Sequence, residues 1–534
     1  MSSSIKSAII ICILFAITGF ALLYKLGDLP FAEPDEPRYA ESAREMIELG
    51  SYMVPYLNYE PRLEKPVLHY LLICASYALL GVSEFSARLP SVLAALLLLG
   101  MTFFVVRRFC GIGTAALACL MMVSSPLYFV NARLTMPDMV FSCVIIVSLF
   151  CFYLGWQAAV AGAKRRWYIG FFLFQIIAAW IKGPVGILVP VAVALLCLWQ
   201  QRSLHELKRM RLGGALVIVL LASLPWYAYV YFFVDRAPLA GRWQQQTLGK
   251  LLGWSYEDFG RLYYYVLVLL LGLLPWSFLM PWALYRRFRT LEKDRFRQFL
   301  EVWFLFVFLL FTACASKKPQ YVIMLVCVCS AWLGSVAIAA LRAAAGRRDR
   351  GLIVSLCAFL AVVAIGALWG LSWLAENQPD LLWSGKMAAV TLVVPALLAV
   401  CLAARGQGRS ALVALSMATL LSIVPAVNCA GDWLNEHRSV KAFLLENNAA
   451  IQQAREIYTG VKTFTGLSFY LRRKVIMNPD KKFLAQKLQG AEPCVVFISE
   501  KRYKQHKELF APYLVAAKYG KVLLSNSADR GVVP

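Results

Sequence analysis

The chain has 534 residues, of which 60% are hydrophobic and only 16% are charged. Soluble globular proteins have about 45–50% apolar and about 25% charged residues, so this composition excludes a soluble protein and indicates a polytopic membrane protein. The formal net charge of +24 leaves three explanations, namely nucleic acid, anionic lipid, or the basic bias of cytoplasmic loops.

Long uncharged apolar runs recur along most of the chain, and each is close to the roughly 20 residues that a helix needs to cross a bilayer. They predict about thirteen transmembrane helices. The runs lie at 8–24, 89–106, 112–131, 139–156, 167–181, 184–200, 214–233, 262–284, 300–315, 320–341, 352–374, 387–402 and 410–427.

Basic residues concentrate in alternate loops between these runs, as in Arg107-Arg108, Lys164-Arg165-Arg166 and the segment from Arg342 to Arg350. The positive-inside rule places these loops in the cytoplasm, and an odd number of spans then puts the C-terminus outside. Because the cations are dispersed over short loops and not gathered on one folded domain, they predict no binding of nucleic acid.

A long outer loop, 25–88, follows the first predicted span. Its apolar segment 66–82 is short and begins with Pro66, which favours an interfacial or re-entrant helix over a span. We therefore assign residues 1–427 to one transmembrane domain that includes this loop and its interfacial helices.

From 428 to 534 the sequence is charged, and strand-like segments alternate with helical ones. Strands are predicted at 456–460, at 494–500 and as a pair around 514–525, with helices near 438–453, 467–473 and 500–510. This alternation predicts a small α/β domain on the outer side.

Carboxylates stand out among the few ionisable residues of the predicted outer side. In Asp35-Glu36-Pro37-Arg38-Tyr39, two acids precede a helical run. Acids and a proline at a helix start are also ordinary capping, so a solvated helix start is the alternative to a functional site.

Asp138, at the end of the segment that begins with Arg133, stands at the outer threshold of a predicted span. There its carboxylate must face protein or a water-filled cavity. Two carboxylates at the same depth can activate an acceptor, hold a divalent cation, or do both.

Lysines on the outer side are disfavoured by the charge rule, yet Lys182, Lys317 and Lys318 lie there. Such lysines favour an anionic partner, and a lipid phosphate is the obvious one. Snorkelling at the membrane interface is the alternative for Lys317 and Lys318.

These segments together resemble the successive signatures of the polyprenyl-phosphate-dependent glycosyltransferases of the GT-C fold, which include the protein O-mannosyltransferases. The pattern resembles in particular the bacterial lipid A 4-amino-4-deoxy-L-arabinose transferases. The segments that carry the resemblance are 35–41, 63–67, 133–138, 182–184 and 275–277.

The resemblance implies a multi-pass enzyme of the bacterial inner membrane, with its C-terminal domain in the periplasm. Its members move aminoarabinose from undecaprenyl phosphate to a lipid A phosphate on the periplasmic face, with inversion, and so confer resistance to polymyxin and other cationic peptides. By this resemblance the partners are the donor, lipid A and membrane lipids. Separately from the resemblance, we expect the chain to act as a monomer.

Carried over position by position, the resemblance implies that Asp35, Asp138 and Glu36 are catalytic and that Lys65 neutralises the leaving phosphate. Lys250 stands where relatives carry a phosphate-binding Arg. The further residues that we expect to contact substrate are Arg38, Tyr39, Arg133, Lys317 and Tyr321.

A metal is one alternative near the first outer loop, since Glu64 and His69 lie close in sequence and His with carboxylate is an acceptable zinc set. A hydrogen-bonding role for His69 is the other alternative. The predicted chemistry requires no further cofactor, because a lipid-linked sugar is already activated.

Two other functions remain open at this stage. The sequence motifs do not identify the sugar. A GT-C transferase that moves mannose or another sugar to protein or to a different glycolipid is therefore the main alternative. A polyprenyl-lipid transporter also needs an amphipathic cavity with outer cations, but the spans show no obvious inverted repeat and few charges of the kind that relay ions.

Overall fold

The structure, a computed structural model, describes residues 3–234, 263–289, 294–343, 349–377, 382–437, 439–461, 464–518 and 520–526. The chain divides into two compact units. The first, the helical unit, consists of Met1–Tyr24, Leu63–His69 and Leu89–Val427, and the second, the loop–sheet unit, consists of Lys25–Arg62, Tyr70–Arg88 and Asn428–Pro534.

Helices dominate the chain up to residue 437. They are α1 (Ser3–Leu23), α2 (Asp35–Glu48), α3 (Leu68–Leu80), α4 (Glu84–Cys110), α5 (Ile112–Val123), α6 (Pro126–Ala132), α7 (Pro137–Gln157), α8 (Ala161–Lys182), α9 (Val185–Gln200), α10 (Glu206–Met210), α11 (Leu212–Ser223), α12 (Pro225–Phe233), α13 (Tyr264–Gly272), α14 (Met280–Arg289), α15 (Arg295–Ala313), α16 (Ile323–Ala343), α17 (Arg350–Asn377), α18 (Leu382–Ala404) and α19 (Gly408–His437). Two 3-10 helices, Trp276–Leu279 and Pro319–Val322, lie between them.

Within the described ranges, eight helices are long and apolar enough to cross a membrane, or up to ten if each of two bent pairs is one span. Every predicted apolar run coincides with a helix, but α1, α8 and α9 fall short of that test, so the predicted number of thirteen spans is not confirmed. The first bent pair joins α5 to α6 at 67°, and the second joins α13 to Trp276–Phe288 at 105°. A proline stands at each break, namely Pro126 at the start of α6 and Pro275 directly before Trp276, and proline has no N–H to continue the helical ladder.

Burial separates the inner helices from the outer ones. The most apolar windows of Pro137–Gln157 and Pro319–Ala343 are 94% buried, whereas those of Arg350–Glu376 and Gly385–Ala404 are only 17% buried. Exposed apolar side chains on a membrane helix face lipid, so α17 and α18 are peripheral and α7 is central. The helix that begins at Pro137 is thus enclosed by protein.

Segment 66–82, for which an interfacial or re-entrant helix is predicted, contains the short helix α3, Leu68–Leu80. At about 1.5 Å per residue its 13 residues extend about 20 Å, which is less than the roughly 30 Å of a hydrocarbon core. This helix is therefore too short to be a span.

The loop–sheet unit contains a two-stranded hairpin, β1 (Tyr56–Leu57) with β2 (Glu60–Pro61). Its turn residues Asn58 and Tyr59 both have positive φ, 59° and 64°, as a tight hairpin turn requires. Their backbone N–H groups donate to the two carboxylate oxygens of Glu45, each at 2.8 Å, so the helix α2 fixes the hairpin.

The C-terminal segment folds around a five-stranded mixed sheet of order β4-β3-β5-β7-β6. Its strands are β3 (Glu456–Thr459), β4 (Ile476–Met477), β5 (Cys494–Ser499), β6 (Leu514–Lys518) and β7 (Lys521–Ser525). The helices are α20 (Lys441–Glu446), α21 (Asn448–Gln453), α22 (Gly466–Leu471), α23 (Lys481–Gln489), α24 (Glu500–Gln505) and α25 (Lys507–Phe510), with a 3-10 helix at Ala511–Tyr513.

Alternating side chains of the central strand β5 enter two separate cores. Val495 and Phe497 pack with helices α20 to α22 on one face. Val496 and Ile498 pack with helices α23 to α25 on the other. Apolar residues on both faces of a strand are typical of a sheet covered by helices on both sides, and the predicted small α/β domain is confirmed.

Candidate functional site

A buried ion pair lies where two neighbouring helices of the helical unit meet. Asp138 is in the first turn of α7 and Lys182 is the last residue of α8, and the Lys182 ammonium donates to Asp138 Oδ1. The side chains are only 3% and 15% exposed, respectively. A carboxylate at a helix N-terminus and a cation at a helix C-terminus both complement the helix dipoles, so the antiparallel packing of α7 and α8 favours this pair.

Two more lysines of the same unit act on Asp138. Lys65 and Lys318 lie close enough to interact electrostatically with its carboxylate, in addition to Lys182. The Lys182 ammonium also lies over the rings of Phe141, 5.0 Å from the centroid, and Tyr321, 5.3 Å from the centroid. We call Lys65, Lys182, Lys318 and Asp138 the lysine cluster, and its positive charges exceed its single negative charge.

Lys318 is held in place through its backbone. Its N–H donates to the Tyr265 hydroxyl oxygen at 3.3 Å, and the Tyr265 hydroxyl lies 3.4 Å from its carbonyl oxygen. The neighbouring Lys317 turns elsewhere, since its ammonium donates to the carbonyl oxygens of Thr312 (2.7 Å) and Cys314 (2.9 Å) at the end of α15. The geometry therefore favours Lys318 over the predicted Lys317 as the residue that meets an anion.

His69 of the helical unit is buried, and its Nε2 lies 3.5 Å from the carbonyl oxygen of Thr135. Burial lowers the pKa of His69 to about 4, so its imidazole is neutral at pH 7. Glu64 is exposed. Among the residues that the structure describes, no three His, Cys, Asp or Glu side chains are placed to hold a metal ion, and the predicted zinc site at Glu64 and His69 is not supported.

Arg133 was predicted to bind substrate, but its guanidinium is buried and Nη1 donates to the carbonyl oxygens of Ala21 (3.1 Å) and Leu22 (2.8 Å). These carbonyls belong to the last turn of α1, which lacks intrahelical donors. Arg133 thus caps a helix, a structural role that stands beside its predicted contact with substrate.

Asp35 begins α2 in the loop–sheet unit, and its side chain is 39% exposed. Arg38, one turn later, places Nη1 3.6 Å from Asp35 Oδ1. An exposed pair of this kind contributes little to stability, because solvent screens it. Both side chains are accessible enough to meet a substrate.

Glu36, the neighbour of Asp35, is buried and holds a two-pronged ion pair with Arg88, with Nε–Oε1 and Nη2–Oε2 distances of 2.9 Å each. Arg88 also donates to the carbonyl oxygens of Leu26, Leu29 and Pro30 at 2.7–2.8 Å. Because both oxygens of Glu36 bind Arg88, the geometry favours an anchoring role over the predicted catalytic one.

Tyr39 is also part of the interior of the loop–sheet unit. Its ring packs against Tyr70, with centroids 5.6 Å apart, and under the guanidinium of Arg62 at 4.8 Å. The predicted contact of Tyr39 with substrate is therefore disfavoured. Tyr321, by contrast, is half-buried beside Lys182.

Lys182 and Lys318 are site residues that the motifs do not single out, since the resemblance points to Lys317. The sequence signal for Lys182 is its position at the outer end of a predicted span, beside Gly183-Pro184. The predicted phosphate site at Lys250 lies outside the described residues.

Known proteins resemble this chain in both sequence and structure. The family described as dolichyl-phosphate-mannose-protein mannosyltransferase matches residues 64–229. An undecaprenyl phosphate-alpha-4-amino-4-deoxy-L-arabinose arabinosyl transferase of Edwardsiella ictaluri is 28% identical over 374 residues, 67% of this chain and 66% of that protein. The undecaprenyl phosphate-alpha-4-amino-4-deoxy-L-arabinose arabinosyl transferase 2 of Proteus mirabilis is 27% identical over 329 residues, 59% of this chain and 56% of that protein.

The chain thus spans less than two thirds of the length of either transferase. Among solved structures, that of ArnT from Cupriavidus metallidurans bound to undecaprenyl phosphate superimposes with a TM-score of 0.80 at 21% identity. That match covers 98% of this chain and 99% of the other. The predicted GT-C fold is confirmed.

Proposed function

We propose that this chain transfers 4-amino-4-deoxy-L-arabinose from undecaprenyl phosphate to a phosphate of lipid A, at the periplasmic face of the bacterial inner membrane. The lysine cluster carries the proposal, because its excess positive charge beside apolar helices suits a lipid-linked phosphate. The names of the transferases from Edwardsiella ictaluri and Proteus mirabilis supply the sugar and its carrier. In this proposal the C-terminal domain lies in the periplasm and the product makes the cell resistant to polymyxin.

The reaction forms one bond and breaks one bond at the anomeric carbon. A phosphate oxygen of lipid A attacks that carbon from the face opposite to the undecaprenyl phosphate, and the bond between the carbon and the donor's phosphate oxygen breaks. The acceptor changes from a phosphate monoester to a diester while the donor's phosphate changes from a diester to a monoester. One negative charge therefore passes from acceptor to leaving group, and no proton has to be removed from the acceptor.

This charge balance defines the roles of the residues. Lys65, Lys182 and Lys318 stabilise the negative charge that accumulates on the departing phosphate. Asp138 holds the Lys182 ammonium in position and keeps a buried cation compensated before the donor arrives. Asp35 is the proposed catalytic carboxylate, which stabilises oxocarbenium-like charge on the sugar or contacts its amine.

A comparison of two adjacent lysines tests the assignment of the phosphate site. We expect Lys318→Gln to lower kcat/KM for the undecaprenyl-linked donor by about tenfold or more, since one cation near the leaving phosphate is lost. Lys317→Gln removes two hydrogen bonds to the end of α15 and is expected to lower the melting temperature, with kcat/KM within about threefold of the wild type. Both variants are measured in a transfer assay on the detergent-solubilised chain. A larger loss of kcat/KM in Lys317→Gln than in Lys318→Gln would show that Lys317 is the phosphate ligand.

The function itself is tested by mass spectrometry of lipid A. Cells that lack their own aminoarabinose transferase but make the donor are compared with and without this chain. We expect the chain to add the mass of one aminoarabinose to lipid A and to raise the survival of cells in polymyxin. Unchanged lipid A in cells with verified expression of the chain would exclude the proposed acceptor.

The second candidate is transfer of mannose from a polyprenyl phosphate to protein, and the match of residues 64–229 to the mannosyltransferase family favours it. The lysine cluster would serve this reaction equally, because the leaving group is the same. A hydroxyl acceptor, however, must lose a proton, so this reaction needs a general base. Labelled mannose appearing in the protein fraction, with unmodified lipid A, would identify this alternative.

A further inference from the structure

The first outer loop and the C-terminal sheet domain are joined by a carboxylate in the loop–sheet unit. Glu33 accepts hydrogen bonds from the Thr465 N–H at 3.0 Å and the Gly466 N–H at 2.8 Å, and its Oε2 lies 2.7 Å from the Thr465 hydroxyl. The Thr465 hydroxyl also lies 2.7 Å from the carbonyl oxygen of Pro34. Four close polar contacts thus converge on two residues that directly precede Asp35.

Phe31, slightly earlier in the loop, binds the same helix α22. Its N–H donates to the Tyr470 hydroxyl oxygen at 3.1 Å, and its ring meets the Phe469 ring edge-on with centroids 5.0 Å apart. A hydrogen bond and an aromatic contact therefore both hold the loop against helix α22. We call Glu33 and Pro34 together with Thr465 and Gly466 the clamp.

On the other side of Asp35, the Arg88 ion pair fixes Glu36, and Glu36 Oε2 accepts from the Ala32 N–H at 2.9 Å. The backbone on both sides of Asp35 is thus anchored by buried contacts, while the Asp35 side chain itself stays partly exposed. A catalytic carboxylate is preorganised when the backbone on both sides of it is held in place while its side chain stays accessible, and Asp35 meets both conditions.

The protonation of Glu33 explains how one hydroxyl serves two oxygens. A threonine hydroxyl has a single hydrogen, so it donates to Pro34 fully only when Glu33 carries a proton and donates to the hydroxyl in return. Burial raises the pKa of Glu33 to about 7, against the hydrogen bonds from Thr465 and Gly466 and the charge of Arg38. A proton on Glu33 is thus accessible near neutral pH.

Gly466 has a steric reason to be glycine. A Cβ built at this position would lie 2.4 Å from Glu33 Oε1, a separation that real Cβ atoms do not adopt. Because φ at Gly466 is not in the left-handed region, this close approach and not backbone strain favours glycine. Any larger residue must displace the Glu33 carboxylate group from its present contact with Gly466.

We propose that Thr465 and Gly466 of the C-terminal domain position the catalytic Asp35 through Glu33 and Pro34, so that the sheet domain completes the active loop. The inference rests on the proposed function of Asp35. Thr465, Gly466 and Glu33 are positioning residues, since they act through the backbone of Asp35.

The test uses the full-length chain in detergent with the undecaprenyl-linked donor and lipid A. We expect Thr465→Val and Gly466→Ala each to lower kcat about tenfold or more with donor KM unchanged, because a small displacement of a catalytic group is costly whereas no phosphate-binding lysine is altered. Thr465→Ser keeps the hydroxyl and is expected to restore kcat.

Two matched controls separate positioning from general damage. Glu492→Gln breaks an exposed ion pair with Arg455 elsewhere in the C-terminal domain, and Gly113→Ala adds a Cβ that meets nothing within 4 Å. Both are expected to keep the wild-type kcat. Wild-type kcat in Thr465→Val and Gly466→Ala, or a change confined to KM, would overturn the proposal.

Hydrogen exchange distinguishes failure of the clamp from failure of the proposed function. We expect the amides of Phe31, Ala32 and Glu36, which are hydrogen-bonded in the wild type, to exchange faster in Thr465→Val and Gly466→Ala but not in the controls. This readout needs no substrate. Unchanged exchange would refute the clamp, whereas faster exchange in a chain whose wild type transfers no aminoarabinose would refute only the proposed function.

Discussion

An Asp35→Asn variant is expected to fold as the wild type does and to lose sugar transfer by a factor of about 100 or more. The substitution preserves shape but removes the negative charge that is proposed to stabilise the developing positive charge on the sugar. The folded state loses little, because the Asp35 side chain is 39% exposed and its contact with Arg38 is long at 3.6 Å. Single-turnover transfer from the undecaprenyl-linked donor to lipid A measures the first effect and the melting temperature the second.

Asp480→Asn is the matched control for this variant. Asp480 also stands at the start of a helix, where its side chain accepts from the Lys482 N–H at 3.0 Å, and it is exposed on the C-terminal domain. Because Asn caps a helix about as well as Asp, this change should alter neither stability nor transfer. Activity of Asp35→Asn within about threefold of the wild type would remove Asp35 from the mechanism.

Lys182→Met should destabilise the helical unit by about 3–5 kcal/mol, because it leaves the Asp138 carboxylate buried without its cation. The double variant Asp138→Asn with Lys182→Met removes both charges and is expected to recover most of that stability. Transfer should remain about 100-fold or more below the wild type in the double variant, since the cation that meets the leaving phosphate is gone. Melting temperature and single-turnover transfer report the two effects separately.

A similar pair at the opposite end of the same helix provides the comparison. Lys164, near the start of α8, binds Glu206 at 3.0 Å, and the two side chains are 14% and 4% exposed. Lys164→Met should therefore lower stability while the folded fraction keeps wild-type kcat. If the Asp138→Asn, Lys182→Met double variant transferred sugar normally, the ion pair would be structural only.

The sequence predicts the helices well because hydrophobic length and charge bias are local properties. All thirteen apolar runs became helices, and the strands at 456–460 and 494–500 appeared within a residue or two. The number of spans is less well predicted, because α1, α8 and α9 fall short of the length or hydropathy of a span and because bends such as that before Pro126 break one run into two helices. Hydropathy measures composition but not the direction of a helix.

At the site, the sequence does not show charge partners that lie far along the chain. Glu36 binds Arg88 52 residues away, and Arg133 caps a helix 111 residues before it. Spacing in the sequence cannot reveal such partners, so the sequence predicts a catalytic role for Glu36 and a substrate contact for Arg133. Lys317 and Lys318 are adjacent and identical in type, and only the fold separates the one that caps α15 from the one that acts on Asp138.

The clamp joins residues that are synthesised at widely separated times during translation. Glu33 and Thr465 are separated by 432 residues, and Asn58, which exchanges two hydrogen bonds with Val475, is separated from it by 417. At about 5–20 residues per second, the first loop waits about 20 to 90 seconds for its partner. A premature stop after α19 would thus release a chain with helices α1 to α19 complete but with the loop around Asp35 lacking its partner residues.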